Sequence, residues 1–551
     1  MEKVWLKSYP PGVPEEINPE QYKSLVTLFD KSTKKYADNI AFINMGTNLS
    51  YGDLAEQSRD FAAYLQQNMG LQKGDKFAIM VPNVLQYPIA LFGALKAGLT
   101  VVNVNPLYTA RELEHQLKDS KAKAMLVVEN FAVTLESVIA NTSVEHVITT
   151  QLGDRAGFLK GKMINTAVKH IKKMVPNFSL PDCIKFNTVL KQGKKLSFQE
   201  VDVFPEDLAF LQYTGGTTGV AKGAMLSHRN IVANMLQMNA MVKPLTVENK
   251  ELVVTALPLY HIFALTCNCL SFMTFGGANL LITNPRDLPM FIKTMSKYPI
   301  TAFAGLNTLF NGLLNEPDFL KLDFSTLKLT FAGGMATQKS VADKWHDVTG
   351  SPVLEGYGLT ECSPCVTTSP YDQTSFSGAI GVPLPSTSVK LLDDEGNEVA
   401  LNEPGEMWIR GPQVMQGYYN LPEATAEVII DDWVATGDVA TVDENGFFTI
   451  VDRKKDMILV SGFNVFPNEI EEVISMIDDI IEVAVIGIPC EQSGEKIKVF
   501  LVTKSGELNK KALIEHCRLQ LTSYKIPKEF ELRDELPKSN VGKILRKDLR
   551  S

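Results

Sequence analysis

Short runs of aliphatic residues alternate with helical patterns along most of this 551-residue chain. The run 76–81 precedes an apolar helical pattern at 87–97, and the run 101–104 precedes a second one at 111–117. Such alternation is typical of βαβ units, in which helices cover the faces of a parallel sheet. The sequence therefore predicts an α/β fold with buried parallel sheets.

The pattern changes twice toward the C-terminus. Between about 375 and 450, turn-forming stretches such as 393–396 separate short apolar runs, which indicates a β-rich subdomain. After the charged stretch 452–456 the α/β pattern returns for about 96 residues, which is enough for a separate small domain.

The formal charge of −9 at pH 7 argues against nucleic acid as a partner, because an acidic surface does not attract a polyanion. The first ten residues are polar and charged, so no secretory signal is expected. The stretch 252–282 is long enough to cross a bilayer, but Pro258, Gly276 and Gly277 interrupt it and would leave polar groups unsatisfied in lipid. We therefore expect protein core at this place.

The cysteines favour a reducing compartment. There are seven, which is too few for a disulfide framework in a chain of this length, and the number is odd. Cys362 and Cys365 have C-x-x-C spacing, but a second pair of ligands is missing nearby. We therefore expect free thiols in the cytosol and no zinc site.

The most unusual local composition is a glycine- and threonine-rich loop at 214–223, directly after a predicted strand at 207–213. Glycines let the backbone turn its N–H groups toward a ligand, and threonine hydroxyls and Lys222 add donors for phosphate oxygens. The usual P-loop pattern does not fit, because Gly223 rather than Ser or Thr follows the lysine. From composition alone, a phosphate site and a surface loop without a ligand both stay open.

Further motifs follow this loop along the chain. They are 357–361 (YGLTE), 436–438 (TGD), 452–456 (DRKKD) and 537–543 (PKSNVGK). Loop and motifs together resemble the signatures of the acyl-adenylate-forming superfamily of AMP-binding enzymes, which includes acyl-CoA synthetases, luciferases and the adenylation domains of peptide synthetases. The stretches 103–109, 257–263 and 458–464 resemble more narrowly the long-chain fatty-acid branch of the bacterial acyl-CoA synthetases.

The resemblance implies a ligase with two half-reactions. A fatty carboxylate attacks the α-phosphate of ATP and releases pyrophosphate, and the thiol of CoA then attacks the acyl-adenylate and releases AMP. Mg²⁺ is the implied cofactor, and the implied setting is fatty-acid degradation and lipid metabolism in the cytoplasm, in peripheral contact with the inner membrane. Homodimers occur among related enzymes, although no residue pattern here indicates one.

The resemblance also implies an ATP site. Thr214 and Glu361 would bind Mg²⁺, Asp438 would accept hydrogen bonds from both ribose hydroxyls, Arg453 would contact the nucleotide and Tyr357 would stack on adenine. Without the resemblance, the motif of Asp438 would be interpreted as a turn whose aspartate bonds its own backbone. The full set expected to bind ATP is Tyr213, Thr214, Gly215, Gly216, Thr217, Thr218, Gly219, Lys222, Gly223, Gly333, Gly334, Tyr357, Gly358, Thr360, Asp438, Arg453 and Lys543.

A mobile C-terminal domain is expected to serve both half-reactions. Lys543 is the predicted catalytic cation of adenylate formation, with Glu361 and Thr214 as the other catalytic residues, and Lys455 is the predicted hinge. After rotation, Ser461, Gly462 and Phe463 would line the path of CoA. The implied division is an N-terminal part of two α/β sheet subdomains and the β-rich subdomain at 1–452, a hinge at 453–455 and the C-terminal domain at 456–551.

The acyl chain requires a long apolar cavity, for which the resemblance implies Tyr260, His261 and Phe263. Composition does not set the chain length. The competing functions are a medium-chain or aryl carboxylate–CoA ligase, an acyl-AMP ligase that serves a carrier protein, and a catalytically silent lipid-binding or regulatory protein.

One further stretch, residues 155–175, is called the basic segment below. It mixes lysines with apolar residues at helical spacing and contains no acidic residue. This composition suits a helix that lies on anionic lipid, and it equally suits a solvated helix packed on the protein.

Overall fold

The structure is a computed structural model, which describes residues 3–180, 182–214, 221–460, 463–490, 493–539 and 542–550. Within these residues, helices pack on the faces of several β-sheets, which confirms the predicted α/β fold. The α-helices are Leu25–Lys35, Tyr51–Gln67, Gln86–Lys96, Ala110–Ser120, Ala132–Glu136, Phe158–Thr166, Phe186–Gly193, His228–Val242, Ser271–Met273, Leu288–Met295, Asn307–Leu314, Lys339–Thr349, Pro422–Val428, Pro467–Ser475 and Lys510–Gln520.

The largest sheet has a parallel centre and antiparallel edges. Its central strands are buried along their length, as expected when helices cover both faces. From edge to edge its strands are Val382–Pro383, Cys365–Thr368, Val353–Gly358, Leu329–Gly333, Ala302–Gly305, Leu252–Thr255, Ala278–Leu281, Ile40–Asn44 and Thr47–Ser50. Gly333 pairs with Gly356, the neighbour of Tyr357, so two predicted ATP ligands lie close together at the carboxyl edge, where α/β sheets bind ligands.

The second sheet is parallel except for a hairpin at one edge. Its strands in order are Ile184–Lys185, His146–Thr150, Ala124–Val128, Lys76–Met80, Thr100–Asn103, Leu208–Thr214 and Lys222–Ser227. Thr214 pairs with Lys222 at the turn end of the hairpin, so the predicted phosphate loop connects its two strands. The predicted ligands Gly215, Gly216, Thr217, Thr218 and Gly219 lie outside the described residues.

A smaller antiparallel sheet follows, in the region where the turn pattern predicted a β-rich subdomain. It comprises Ser388–Leu392, Gly405–Arg410, Trp433–Val442, Ile429–Ile430 and Phe448–Arg453. Asp438 pairs with Arg453, which is the last residue of its strand, so the two predicted nucleotide ligands lie opposite each other.

The C-terminal sheet comprises Phe463–Val465, Ile458–Val460, Gly494–Thr503, Ile480–Cys490 and Glu529–Leu532. Its apolar core is its own, because every described member of that core follows residue 457. Polar contacts join this domain to the N-terminal part: Thr308 Oγ1 donates to the carbonyl of Gly542 at 3.1 Å, and Asn311 Nδ2 donates to that of Ile481 at 3.0 Å.

The stretch 252–282 forms core, as predicted. The strand Leu252–Thr255, a π-helical stretch at Ala264–Leu270 and most of the strand Ala278–Leu281 are buried. In the part of the chain that the structure describes, no helix combines the length and the apolarity needed to cross a bilayer.

Candidate active site

The carboxylate of Asp438 forms one end of the site. Tyr357 Oη donates to its Oδ2 at 2.6 Å, and Arg453 Nε lies 3.1 Å from its Oδ1. The backbone N–H of Asp438 donates instead to the hydroxyl of Thr436 at 3.1 Å. The interpretation of this motif as a turn whose aspartate bonds its own backbone is therefore wrong.

Asp438 keeps acceptor capacity after these contacts. An ionised carboxylate offers about four acceptor positions, and the two protein donors use one on each oxygen. Burial, followed by the charge of Asp438, raises the pKa of Tyr357 well above its ordinary value, so the phenol stays protonated and donates. The arrangement can therefore accept two further hydroxyl donors, one on each carboxylate oxygen.

Lys543 reaches this place on a loop of the C-terminal domain. The N–H of Ser539 donates to the carbonyl of Lys543 at 2.7 Å, and the N–H of Lys543 donates to Ser539 Oγ at 3.1 Å. The preceding Gly542 has φ +89°, and a Cβ there would lie 3.1 Å from Leu306 and 3.2 Å from Thr308. Glycine is thus required both by the backbone and by the close approach of the two domains.

Lys543 lies within the electrostatic reach of Arg453 and Asp438. Burial, followed by the charge of Arg453, lowers the pKa of Lys543 to about 8, against the opposing charge of Asp438. A cation that burial has partly desolvated interacts strongly with an anionic ligand, because few waters screen it.

The predicted acyl-pocket residue His261 lies within the electrostatic reach of Lys543. Burial, followed by that charge, lowers the pKa of His261 to about 4, so the imidazole is neutral at pH 7. Its Nδ1 accepts the N–H of Phe263 at 3.3 Å. The ring of Phe263 lies 5.9 Å from that of Phe331, and a Cβ on Gly333 would approach it to 3.2 Å.

A buried amide network holds the neighbouring segment, and no sequence motif indicated it. The carbonyl of Tyr260 accepts a hydrogen bond from Gln212 at 2.9 Å, and Gln212 Oε1 accepts one from Asn103 at 3.0 Å. Tyr87 Oη donates to Asn103 Oδ1 at 2.8 Å. Leaving any of these polar groups unpaired in the core would cost free energy, so the network holds the Tyr260 segment against the second sheet.

Glu361 and the phosphate-loop hairpin are connected through Tyr418, which the sequence analysis missed. Tyr418 Oη donates to Glu361 Oε1 at 2.7 Å, and Lys222 Nζ lies 5.0 Å from the centre of its ring. The sequence shows an aromatic pair at this turn, but nothing in it indicates which distant loop the ring meets.

Glu361 and Thr214 fit a magnesium ion that is bound together with a nucleotide. Tyr418 uses Oε1 of Glu361, which leaves Oε2 as the oxygen available to a cation. Within the described residues, no group of three or more His, Cys, Asp or Glu could hold a metal by itself. Mg²⁺ usually takes one or two carboxylates and completes its shell with phosphate oxygens and water.

A single helix holds both ends of the phosphate loop. Asp119, near the end of the helix Ala110–Ser120, accepts a hydrogen bond from Tyr213 Oη at 2.6 Å. His115, one turn earlier, donates from Nε2 to the carbonyl of Ala221 at 3.0 Å. Asp119 and His115 therefore hold the residues that flank the loop, although no motif pointed to them.

Gly358 allows the chain to reverse beside Tyr357. A Cβ on Gly358 would lie 2.1 Å from the carbonyl of Pro364, so no larger residue fits. The short helical turn that carries Thr360 and Glu361 follows directly.

The residues on either side of Lys455 are tied to different parts of the molecule. Lys454 Nζ lies 2.7 Å from Asp394, which follows a strand of the β-rich sheet. Asp456 accepts a hydrogen bond from Arg550 of the C-terminal domain at 2.9 Å. Lys455 therefore occupies the point at which the chain passes from one set of contacts to the other.

Arg546, three residues after Lys543, binds carboxylates from both sides of Lys455. Its guanidinium lies 3.1 Å from Asp452, 2.8 Å from Glu471 and 3.6 Å from Asp456. The sequence shows this arginine near the final motif, but it does not show which acids surround it.

Phe463, the predicted CoA-path residue that the structure describes, lies apart from the side chains discussed so far. Phe463 stacks on Tyr524 with ring centres 4.5 Å apart, and no contact among the described residues joins it to Asp438 or Lys543. Ser461 and Gly462 lie outside the described residues.

Comparison with known families covers both parts of the chain. Residues 29–419 match the AMP-binding enzyme family, and residues 469–543 match the AMP-binding enzyme C-terminal domain. A long-chain-fatty-acid–CoA ligase of Yersinia pestis is 60% identical over 550 residues, which cover 100% of this chain and 98% of that protein. The ligase of the same name from Bacillus subtilis (strain 168) is 37% identical over 553 residues, with 100% and 98% covered.

Solved structures agree at the level of the fold. An anthranilate CoA ligase, AuaEII, in complex with anthranoyl-AMP superposes with a TM-score of 0.85 at 23% identity, over 97% of this chain and 98% of that one. ATP-bound MatB from Rhodopseudomonas palustris superposes with a TM-score of 0.82 at 27% identity, over 95% and 98%.

Proposed function

Because this chain belongs to the family of AMP-binding enzymes, we propose that it converts a long-chain fatty acid, ATP and CoA into acyl-CoA, AMP and pyrophosphate through an acyl-adenylate. One observation carries the proposal. Tyr357, at the carboxyl end of a strand of the largest sheet, donates to Asp438 at 2.6 Å, and Thr308, just after another strand of that sheet, donates to the carbonyl of Gly542 next to Lys543.

In the first half-reaction a carboxylate oxygen attacks the α-phosphorus of ATP. Both reactants are anions, so the barrier falls when a cation stands between them. Lys543 is that cation in our proposal, and the neutral imidazole of His261 adds no further charge beside it. Asp438 and Tyr357 hold the ribose and the adenine, which fixes the α-phosphate in line for attack.

The leaving pyrophosphate requires donors of its own. We assign this role to Thr214, Lys222 and the loop between them, with Asp119 and His115 as residues that position the loop. Mg²⁺, when bound by Glu361 and Thr214 with phosphate oxygens, supplies further neutralisation of the charge on the leaving group. Tyr418 orients Glu361 through its hydrogen bond to one carboxylate oxygen.

In the second half-reaction the sulfur of CoA attacks the acyl carbonyl carbon, and AMP leaves. A lysine loop packed against the adenylate would obstruct this approach, so we propose that the C-terminal domain rotates about Lys455 between the two steps. The segment 461–463 would then line the path of the thiol.

The relatives support the substrate class. Ligases named for long-chain fatty acids share 60% and 37% identity with this chain over its whole length. We therefore propose a long-chain carboxylate as the substrate. Because such acids partition into bilayers, we also propose peripheral action at the cytoplasmic face of the membrane, in fatty-acid degradation.

The test is ATP–pyrophosphate exchange across saturated carboxylates of increasing length, with benzoate as an aryl competitor. We expect exchange that depends on Mg²⁺ and has its highest kcat/KM at a long chain. Highest activity with benzoate or a medium-chain acid would contradict the substrate class, and absence of exchange with every acid would contradict the ligase function.

A second assay separates CoA from a carrier protein as the acceptor. Preformed acyl-adenylate is offered to the enzyme with either CoA or a phosphopantetheinylated carrier. We expect release of AMP with CoA, whereas release with the carrier alone would favour an acyl-AMP ligase.

A further inference from the structure

The basic segment lies on the surface of the N-terminal part and is anchored along one side only. Its helix Phe158–Thr166 continues into a π-helical turn at Ala167–Ile171. Gly161 lies so close to Gly153 that a Cβ would come within 2.4 Å of the Gly153 carbonyl. Asn165 accepts the N–H of Gly153 at 2.8 Å, so these two residues define the inner side.

The other sides expose large apolar residues. Phe158 is 85% exposed, and Leu159, Met163, Ile171 and Met174 are 75%, 73%, 77% and 51% exposed. Single exposed apolar residues are common on protein surfaces, but five within 17 consecutive residues make a patch. The segment thus packs on the protein along its inner side and leaves most of the surface of these apolar residues in water.

Lysines surround this patch. Lys160, Lys162, Lys169, Lys172 and Lys173 are all exposed, and no ion pair within the described residues involves them. The remaining cation of the segment, Arg155, is held by the protein, because it donates hydrogen bonds to Gln57 at 2.7 Å and to Asn187 at 3.2 Å.

The nearby acids have partners elsewhere. A cavity of about 960 Å³ separates the segment from the helices Tyr51–Gln67 and Phe186–Gly193, and its walls include Lys162 and Lys169. Of the carboxylates in these walls, Glu56 pairs with Lys194 at 2.7 Å, Asp60 with Arg59 at 2.6 Å, and Asp154 accepts from Asn165 at 3.1 Å. The lysines of the segment are therefore left to attract an external anion.

We propose that the basic segment is the surface by which this protein docks on an anionic phospholipid bilayer. Phe158, Leu159, Met163 and Ile171 enter the interface, and the lysines meet the lipid phosphates. A second copy of the chain is the poorer occupant, because it would bring the same lysines and repel them. The inference rests on the proposed function, since long-chain fatty acids partition into bilayers.

The test uses the full-length protein and sedimentation with vesicles. We expect binding to vesicles of phosphatidylglycerol and phosphatidylethanolamine that weakens with salt, and little binding to pure phosphatidylcholine. The apolar variant Phe158→Ser/Met163→Ser/Ile171→Ser and the charge variant Lys169→Glu/Lys172→Glu/Lys173→Glu should each lower the partition coefficient about tenfold or more.

Leu519→Ser is the matched control, because Leu519 is 82% exposed on the C-terminal domain and should keep the parent value. Equal binding of the parent to both kinds of vesicle, retention within twofold by both triple variants, or an equal loss in the control would overturn the proposal. Sedimentation velocity tests the alternative occupant, a second copy of the chain. If the apolar variant converts a dimer into a monomer while vesicle binding is unchanged, the patch joins two copies and the proposal is overturned.

Failure of this proposal can be told apart from failure of the proposed ligase function. ATP–pyrophosphate exchange with a fatty acid kept below its micelle concentration should stay within twofold of the parent in all three variants, because none touches the active site. Loss of exchange in a variant with an unchanged melting temperature would contradict a role confined to docking. Absence of exchange in the parent would sink the ligase function and leave the vesicle result standing.

Discussion

The two sides of the active site are held in different ways. The nucleotide side is built into two sheets, because Tyr357 and Asp438 each occupy a strand and are joined by a hydrogen bond. The lysine side is a loop of a domain with its own apolar core, and it reaches the N-terminal part through hydrogen bonds and through the carboxylates around Arg546.

The difference indicates which side can move. Apolar burial in the N-terminal core would be lost if the nucleotide side shifted, whereas each polar contact contributes only about 0.5–1.5 kcal/mol net and can be exchanged for water. The nucleotide side is therefore suited to both half-reactions, and the lysine side is suited to one of them. The predictions below test that division.

Removing the side chain of Lys543 should have the largest effect. Lys543→Ala leaves the nucleotide side intact but removes the cation between two anionic reactants, so we expect adenylate formation to fall about 1000-fold. Thioester formation from supplied acyl-adenylate should stay within a few-fold. Pyrophosphate exchange and CoA-dependent AMP release measure the two steps, and an equal loss in both would contradict the assignment.

Stiffening the hinge should produce the opposite split. Lys455→Pro restricts the backbone between Lys454, which contacts Asp394, and Asp456, which contacts Arg550. We expect thioester formation to fall about 100-fold, with adenylate formation changed only a few-fold. Lys455→Ala is the control, since it removes the side chain and leaves the backbone free. Unchanged thioester formation in the proline variant would count against rotation at this residue.

The sequence predicted the two sides of the site unequally. The alternation of strands and helices predicted the α/β fold, which the structure confirms. The motifs predicted Tyr357 and Asp438, which the structure joins by a hydrogen bond. The positions of Tyr418, Asp119 and Arg546 could not be predicted, because their partners are 57, 94 and 75 to 94 residues away along the chain. Pairings at that distance are decided by tertiary packing, for which a single sequence carries no local signal.

Arg546 offers a test of how the lysine loop is held. Arg546→Met leaves Asp452 and Glu471 buried without their cation, which should cost about 3–5 kcal/mol in unfolding of the C-terminal domain. Because the contact with Asp452 spans Lys455, we expect adenylate formation to fall about 30-fold and thioester formation much less. Arg546→Lys should recover part of the adenylation rate, and losses of equal size in both steps would indicate a purely structural role.

A smaller expected effect is a pH dependence confined to the lysine side. The pKa of Lys543 is lowered from 10.5 to about 8, so the ammonium is lost as pH rises through that value. The kcat/KM of adenylate formation for ATP should then fall about tenfold per pH unit above roughly 8, because this quantity reports the free enzyme. Thioester formation should not share that limb, and a common alkaline limb in both steps would contradict the division.

The lowered pKa of Lys543 also determines how the free energy of unfolding changes with pH. Since the folded pKa of Lys543 lies below the unfolded value, the unfolded chain binds more protons between about pH 8 and 10.5, and stability from this group rises with pH across that window. The charged lysine therefore costs stability below pH 8. Lys543→Met should raise the free energy of unfolding by about 2 kcal/mol at pH 7 and by much less at pH 10, measured by urea denaturation. A larger gain at pH 10 than at pH 7 would mean that the lysine is not desolvated at this interface, and the contrast between the two sides would then lose its electrostatic basis.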